Sequence, residues 1–177
     1  MKKIVFLYDK LMTVSEQQLL GLDAKFLSYA VVNAKMYWFA DREYGKLRRK
    51  KKKTFIIPKQ GTKLVYGALF EISNYETAKL KIHSYYYSLS EFIGEKSTHD
   101  LFTLTPLLAT PIRFKRVSQL ETSTYDRGTP IECECFVGNL NNPTIQYNSS
   151  KPYYYLQGID EKNYIEMIKE TQKKKGD

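Results

Sequence analysis

The sequence predicts a mixed α+β domain, with a mostly antiparallel sheet and few helices. Three observations lead there. Short apolar runs rich in Val, Ile, Phe and Tyr recur along the chain, each bounded by Gly, Pro, Asn or Asp. Only two segments carry helical signals. The 177 residues are 42% hydrophobic, with nine Phe and fifteen Tyr, which is the composition of a folded globule. A chain of this length buries about 70% of its unfolded surface around one core. One domain over residues 1–170, followed by a basic tail at 171–177, is therefore expected.

Taken in order, IVFLY (4–8) is the first strand. Its basic start resembles a secretory leader, but Tyr8, Asp9 and Lys10 cut the apolar stretch short and no small-residue cleavage site follows. AVVNAKMYWF (30–39) and KTFIIP (53–58) are strands flanking KLRRKKKK (46–53), which reads as a long hairpin loop. KLVYGALFEI (63–72) alternates Leu64, Tyr66, Ala68, Phe70 and Ile72 on one expected face. Gly67 interrupts it where a bulge or a close backbone approach fits. SNYETAKLKIHSYYYSLSEF (73–92) reads as one or two helices, with Ser73 or Asn74 as N-cap and Glu76 in the first turn. FTLTPLLATPIRFKRV (102–117) and PIECECFVG (130–138) are further strands, with YDRGTP as a turn between them. NLNNPTIQYNSSKP (139–152) is loop chemistry. A last helix carries Tyr164, Ile165 and Ile168 as a partial apolar face.

Composition excludes several classes. No apolar run approaches the ~18 residues that cross a membrane, so no membrane contact is expected. Cys133 and Cys135 stand two apart on one strand, hence on one face, a poor geometry for a mutual disulfide. They read as buried thiols in a reducing, cytoplasmic compartment. With only His83 and His99 besides, neither a metal site nor a hydrolytic triad is indicated. No glycine loop cradles a phosphate, and no cofactor is expected.

The net charge of +9 is concentrated. Lys46, Arg48, Arg49, Lys50, Lys51, Lys52 and Lys53 supply seven cations in eight residues. Such a cluster can track a polyanion, with Tyr37, Trp38, Phe39 and Tyr44 nearby for base stacking. An acidic protein could use the same segment. A solvated loop in a Lys-rich proteome is the plainer reading. Abundant Lys, Tyr and Ile with few Ala is also what AT-rich coding produces, as in phage genomes. The tyrosine clusters YYYS (85–88) and PYYYL (152–156) suit self-association, a pocket wall or ordinary packing.

The order of these elements, with several short motifs, resembles the gamma-glutamylcyclotransferase-like superfamily. FLYDKLM keeps Phe6, Tyr8, Leu11 and Met12 of the family's first-strand motif. Asp9 replaces its glycine and Lys10 its hydroxyl residue. IIPKQGTKLVYGALFEIS matches through Pro58, Gly61, Val65, Gly67 and Leu69. LSEFIG (89–94) resembles the family's Leu-Asp-x-x-Glu-Gly, retaining Leu89, Phe92 and Gly94. ECECFVGN resembles the closing strand, and the likeness spans residues 3–168. It implies a mixed, mostly antiparallel sheet or partly closed barrel with a few helices.

The resemblance also implies a substrate carrying a gamma-glutamyl amide, cyclised to 5-oxoproline when its α-amino group attacks its own side-chain carbonyl. A base must deprotonate that amine and pass the proton to the leaving group. Here Ile93 stands at the base position and cannot carry a proton, and Ser90 replaces the preceding aspartate. Tyr8, Asp9, Lys10 and Leu11 correspond to the ligand loop. There Asp9 is expected to remove glycine's free choice of φ and to add charge where an anion would sit. Ile93 also suits a core position at a helix–strand junction. Glu91 or Glu95 could act as a relocated base, but a carboxylate two residues along a helical turn points to another side. The expectation is a non-catalytic binding or accessory protein, cytoplasmic or assembled into a phage particle. An active cyclotransferase with a relocated base, or a nucleic-acid-binding module, are the alternatives.

Overall fold

A computed structural model describes residues 1–43, 46–58, 64–82, 102–114 and 125–138. Among the described residues, seven strands form one sheet: β1 (Lys3–Tyr8), β2 (Ala24–Glu43), β3 (Lys46–Pro58), β4 (Leu64–Ile72), β5 (Phe102–Phe114), β6 (Tyr125–Arg127) and β7 (Ile131–Gly138). β1 pairs antiparallel with β4, β4 with β2, β2 with β5 and β5 with β7. The ring closes where β7 returns parallel to β1 at Val5 and Glu134. β3 is the additional strand, paired along β2 and touching β7 at Ile56 and Val137. The result is a five-stranded barrel with β3 alongside and the short β6 added to β5.

Closure explains the burial of β4. Val65 and Leu69 are as buried as Ala68, Phe70 and Ile72, so the strand is covered on both faces rather than the one expected. Phe6 and Tyr8 pair with Leu69 and Gly67, which places these four on one face. The opposite face meets two helices. α1 (Val14–Leu20) is capped by Thr13, whose side chain accepts from the Glu16 backbone N–H, and ends at left-handed Gly21 (φ 61°). A second helix occupies residues 75–82. Its first backbone bond runs from Ala78 N–H to the Asn74 carbonyl, making Asn74 the N-cap. Tyr75, Ala78 and Ile82 are buried. Lys81 donates to the Gly21 carbonyl at 2.6 Å, joining the two helices at the C-terminal end of α1, where the helix dipole favours a cation.

Several expectations are corrected. The basic run is not a loop: it is the first part of β3, and Lys46, Leu47, Arg48 and Lys53 pair with β2. β2 begins six residues before its expected start, interrupted by a register shift between Phe26 and Ser28 that leaves Leu27 exposed. Tyr125–Arg127, expected in a turn, pairs with β5. The segments 83–92, 139–152 and the terminal helix lie outside the described residues.

Candidate functional site

β1 is extended to its last residue, Tyr8 (φ −137°, ψ 166°), and the chain then turns sharply. Asp9 makes that turn at φ 52°, the only non-glycine among the described residues with a positive φ. Asp enters this left-handed region more readily than most residues because its short side chain can bond locally. A 3-10 turn (Asp9–Met12) follows, burying Leu11 and Met12 against the barrel. Asp9 therefore reproduces the backbone shape that the sequence expectation reserved for glycine; what it adds is a carboxylate.

The four residues matched to the ligand loop divide by role. The Tyr8 ring is buried and its hydroxyl donates to the Phe136 carbonyl at 3.1 Å. The same oxygen accepts from the Ile56 N–H at 3.2 Å. Tyr8 thus joins β1 to β7 and β3 at the seam where the barrel closes. Leu11 is core. Asp9 is half-buried and Lys10 exposed, so these two carry the polar chemistry of the turn.

Beside the turn lies a cleft of about 320 Å³ between α1 and the β2–β4 face. Met12, Phe26, Tyr29 and Phe70 form its apolar walls, with Gln17 and Asp23 as polar lining. Phe26 meets Tyr29 edge-on at 4.8 Å and Phe70 at 5.8 Å, which gives the wall a set shape. Gln17 is buried and donates to the Leu11 carbonyl at 3.0 Å, tying α1 to the turn. Sequence reasoning missed this wall. The signals were present: Thr13 and Glu16 form a capping-box pattern, and Gly21 is a stop signal. A seven-residue helix is too short to show periodicity.

A second polar cluster spans the seam. Lys3 Nζ pairs with Glu134 Oε1 at 3.1 Å and lies 5.5 Å from the Tyr75 ring centroid. Glu134 Oε2 and the Tyr75 hydroxyl are buried without a hydrogen-bond partner among the described residues. Cys133 and Cys135 are buried free thiols, as expected. Burial pushes the Cys133 thiol up to about 12; the Ala109 backbone pulls the other way and the Glu132 charge adds to the rise. Burial, and then the neighbouring Cys133, raise Cys135 well above its ordinary value. Neither is a ready nucleophile. Among the described residues no group of His, Cys, Asp and Glu could hold a metal ion. Nor is any described helix long and apolar enough to cross a membrane.

Glu91, Ile93 and Glu95 lie outside the described residues, as do both tyrosine clusters. The basic residues Lys46 and Arg48 to Lys53 occupy β3; of these, Lys46, Arg48 and Lys53 pair in register with β2, and Arg49 to Lys52 fall where the register shifts.

No protein-family model and no curated protein matches the chain. Solved structures do. A gamma-glutamyl cyclotransferase superposes with a TM-score of 0.53 at 14% identity, over 97% of this chain and 80% of the other. An uncharacterized protein from Homo sapiens gives 0.48 at 17%, over 96% and 80%. YkqA from Bacillus subtilis gives 0.40 at 11%, over 78% of this chain and 36% of its own. The chain has a gamma-glutamylcyclotransferase-like fold.

Proposed function

We propose that this chain is a binding protein on a gamma-glutamylcyclotransferase-like fold that does not carry out the cyclisation. The observation that carries the reading is Asp9. Its φ of 52° keeps the turn after β1 in a left-handed shape, while its carboxylate brings negative charge to the place where the resemblance puts a substrate anion. Retained shape with opposed charge fits a scaffold whose original ligand is no longer bound. Ile93 at the matched base position points the same way. Binding is assigned to the basic residues Lys46 to Lys53, towards a polyanion. The cytosol is the proposed compartment, supported by the buried free thiols.

The test is release of 5-oxoproline from a panel of gamma-glutamyl amines, together with retention on heparin. No release and salt-sensitive retention are expected. Release that disappears in Glu91→Gln or Glu95→Gln would establish a relocated base and overturn the proposal.

A further inference from the structure

β4 follows β2 only as far as Asn33, and β5 meets β2 only between Tyr29 and Val31. The other edge of β3 is engaged at Ile56. Among the described pairings, residues 37–43 and 46–55 therefore have only each other, forming a two-stranded ribbon that continues past the barrel. Its register changes once. Phe39 stands opposite Lys53 and Asp41 opposite Arg48, so Arg49, Lys50, Lys51 and Lys52 face Ala40 alone. This is a bulge made only of cations, and bulged residues leave the ladder. The ribbon's acids are already matched by register, Asp41 with Arg48 and Glu43 with Lys46. The bulge has no acid opposite it.

We infer that this ribbon enters the major groove of double-stranded DNA, with the bulge against the phosphates. The inference rests on the polyanion reading above and names its partner. A B-form major groove, about 12 Å wide, admits a two-stranded ribbon. A flat acidic protein surface would meet only one face of the ribbon, whereas a groove has phosphates on both sides. The deep, narrow major groove of an RNA duplex excludes the ribbon.

Fluorescence anisotropy at 50–200 mM salt tests this on a labelled 20-base-pair DNA duplex, its single strand and the matching RNA duplex. Polyglutamate serves as competitor. Replacing Arg49, Lys50, Lys51 and Lys52 by Ser should weaken duplex binding by about tenfold or more. The slope of log affinity against log salt should become shallower by about 3.6, near 0.9 for each phosphate that is no longer neutralised. Replacing Lys25, Lys173, Lys174 and Lys175 by Ser removes the same charge and should leave both nearly unchanged. Should the bulge variant fail to fold, Lys50→Ser with Lys51→Ser makes the same comparison at about half the slope change. Equal losses in bulge and control variants would mean diffuse charge and overturn the inference. So would single-strand or RNA binding as tight as the duplex, or displacement by polyglutamate as effective as by DNA. Bulge-dependent heparin retention without DNA binding would sink the DNA partner alone; a native protein that binds neither DNA nor heparin would sink the polyanion reading as well.

Discussion

Asp9 and Tyr8 are neighbours with opposite relations to the sequence. The left-handed turn at Asp9 costs an ordinary L-residue roughly 1–2 kcal/mol. Asp9→Ala and Asp9→Gly both remove the carboxylate and differ only in a Cβ at φ 52°. The alanine variant should therefore unfold about 1 kcal/mol more easily than the glycine variant. Urea titration of the two proteins measures this, and equal stabilities would mean the turn is not left-handed in solution. Tyr8 shows the limit of reading residues one by one. Its motif marks it for a ligand loop, yet both partners of its hydroxyl lie on other strands, at Ile56 and Phe136. No local pattern announces a hydrogen bond to a backbone group so distant in sequence.

At the scale of elements, β1 and β4 were legible because alternating apolar residues and flanking turn signals are local properties. Gly67 marked a bulge or a close approach, and the structure makes it an approach to β1. A Cβ built there meets the Leu7 carbonyl oxygen at 2.5 Å and the Phe6 ring at 2.5 Å and 2.9 Å. The first of these is backbone and cannot rotate away, so β1 and β4 would have to separate. Gly67→Ala should destabilise the protein by about 3 kcal/mol or more, the range of severe overpacking, with a clear fall in melting temperature. A neutral substitution would show that the two strands do not approach so closely. The basic part of β3 was not legible. Lys is a poor strand former on propensity scales, and a run of cations has the composition of a solvated loop. β2 nevertheless runs on to Glu43 and offers a free edge, and pairing to that edge makes the run a strand.

The whole molecule adds a dependence on pH. Cys133 and Cys135 lie on one face of β7 inside the closed barrel, where burial disfavours the thiolate. For Cys133 the folded value of about 12 exceeds the ordinary 9.0. Between these values the unfolded chain loses a proton that the folded chain keeps, so stability falls as pH rises. The contribution is complete below the unfolded value and is lost as pH climbs through about 12. Urea unfolding at pH 8, 9 and 10 should show wild type losing stability faster than Cys133→Ala. Above pH 9 the gap should grow towards about 1 kcal/mol per pH unit. Parallel curves would mean that the thiol reaches water.

Local pattern was enough for the fold class, the positions of β1, β4, β5 and β7, a helix N-cap at Ser73 or Asn74, and the burial of both cysteines. Each rests on side-chain spacing or turn chemistry within a few residues. Contacts between distant segments settled the rest: that the sheet closes, that the Tyr8 hydroxyl holds the seam, that Asn74 rather than Ser73 caps its helix, that Asp9 makes a left-handed turn and that the basic run belongs to a strand. A strand finds its hydrogen-bond partners in other segments of the chain, so the state of an ambiguous stretch depends on the edge presented to it.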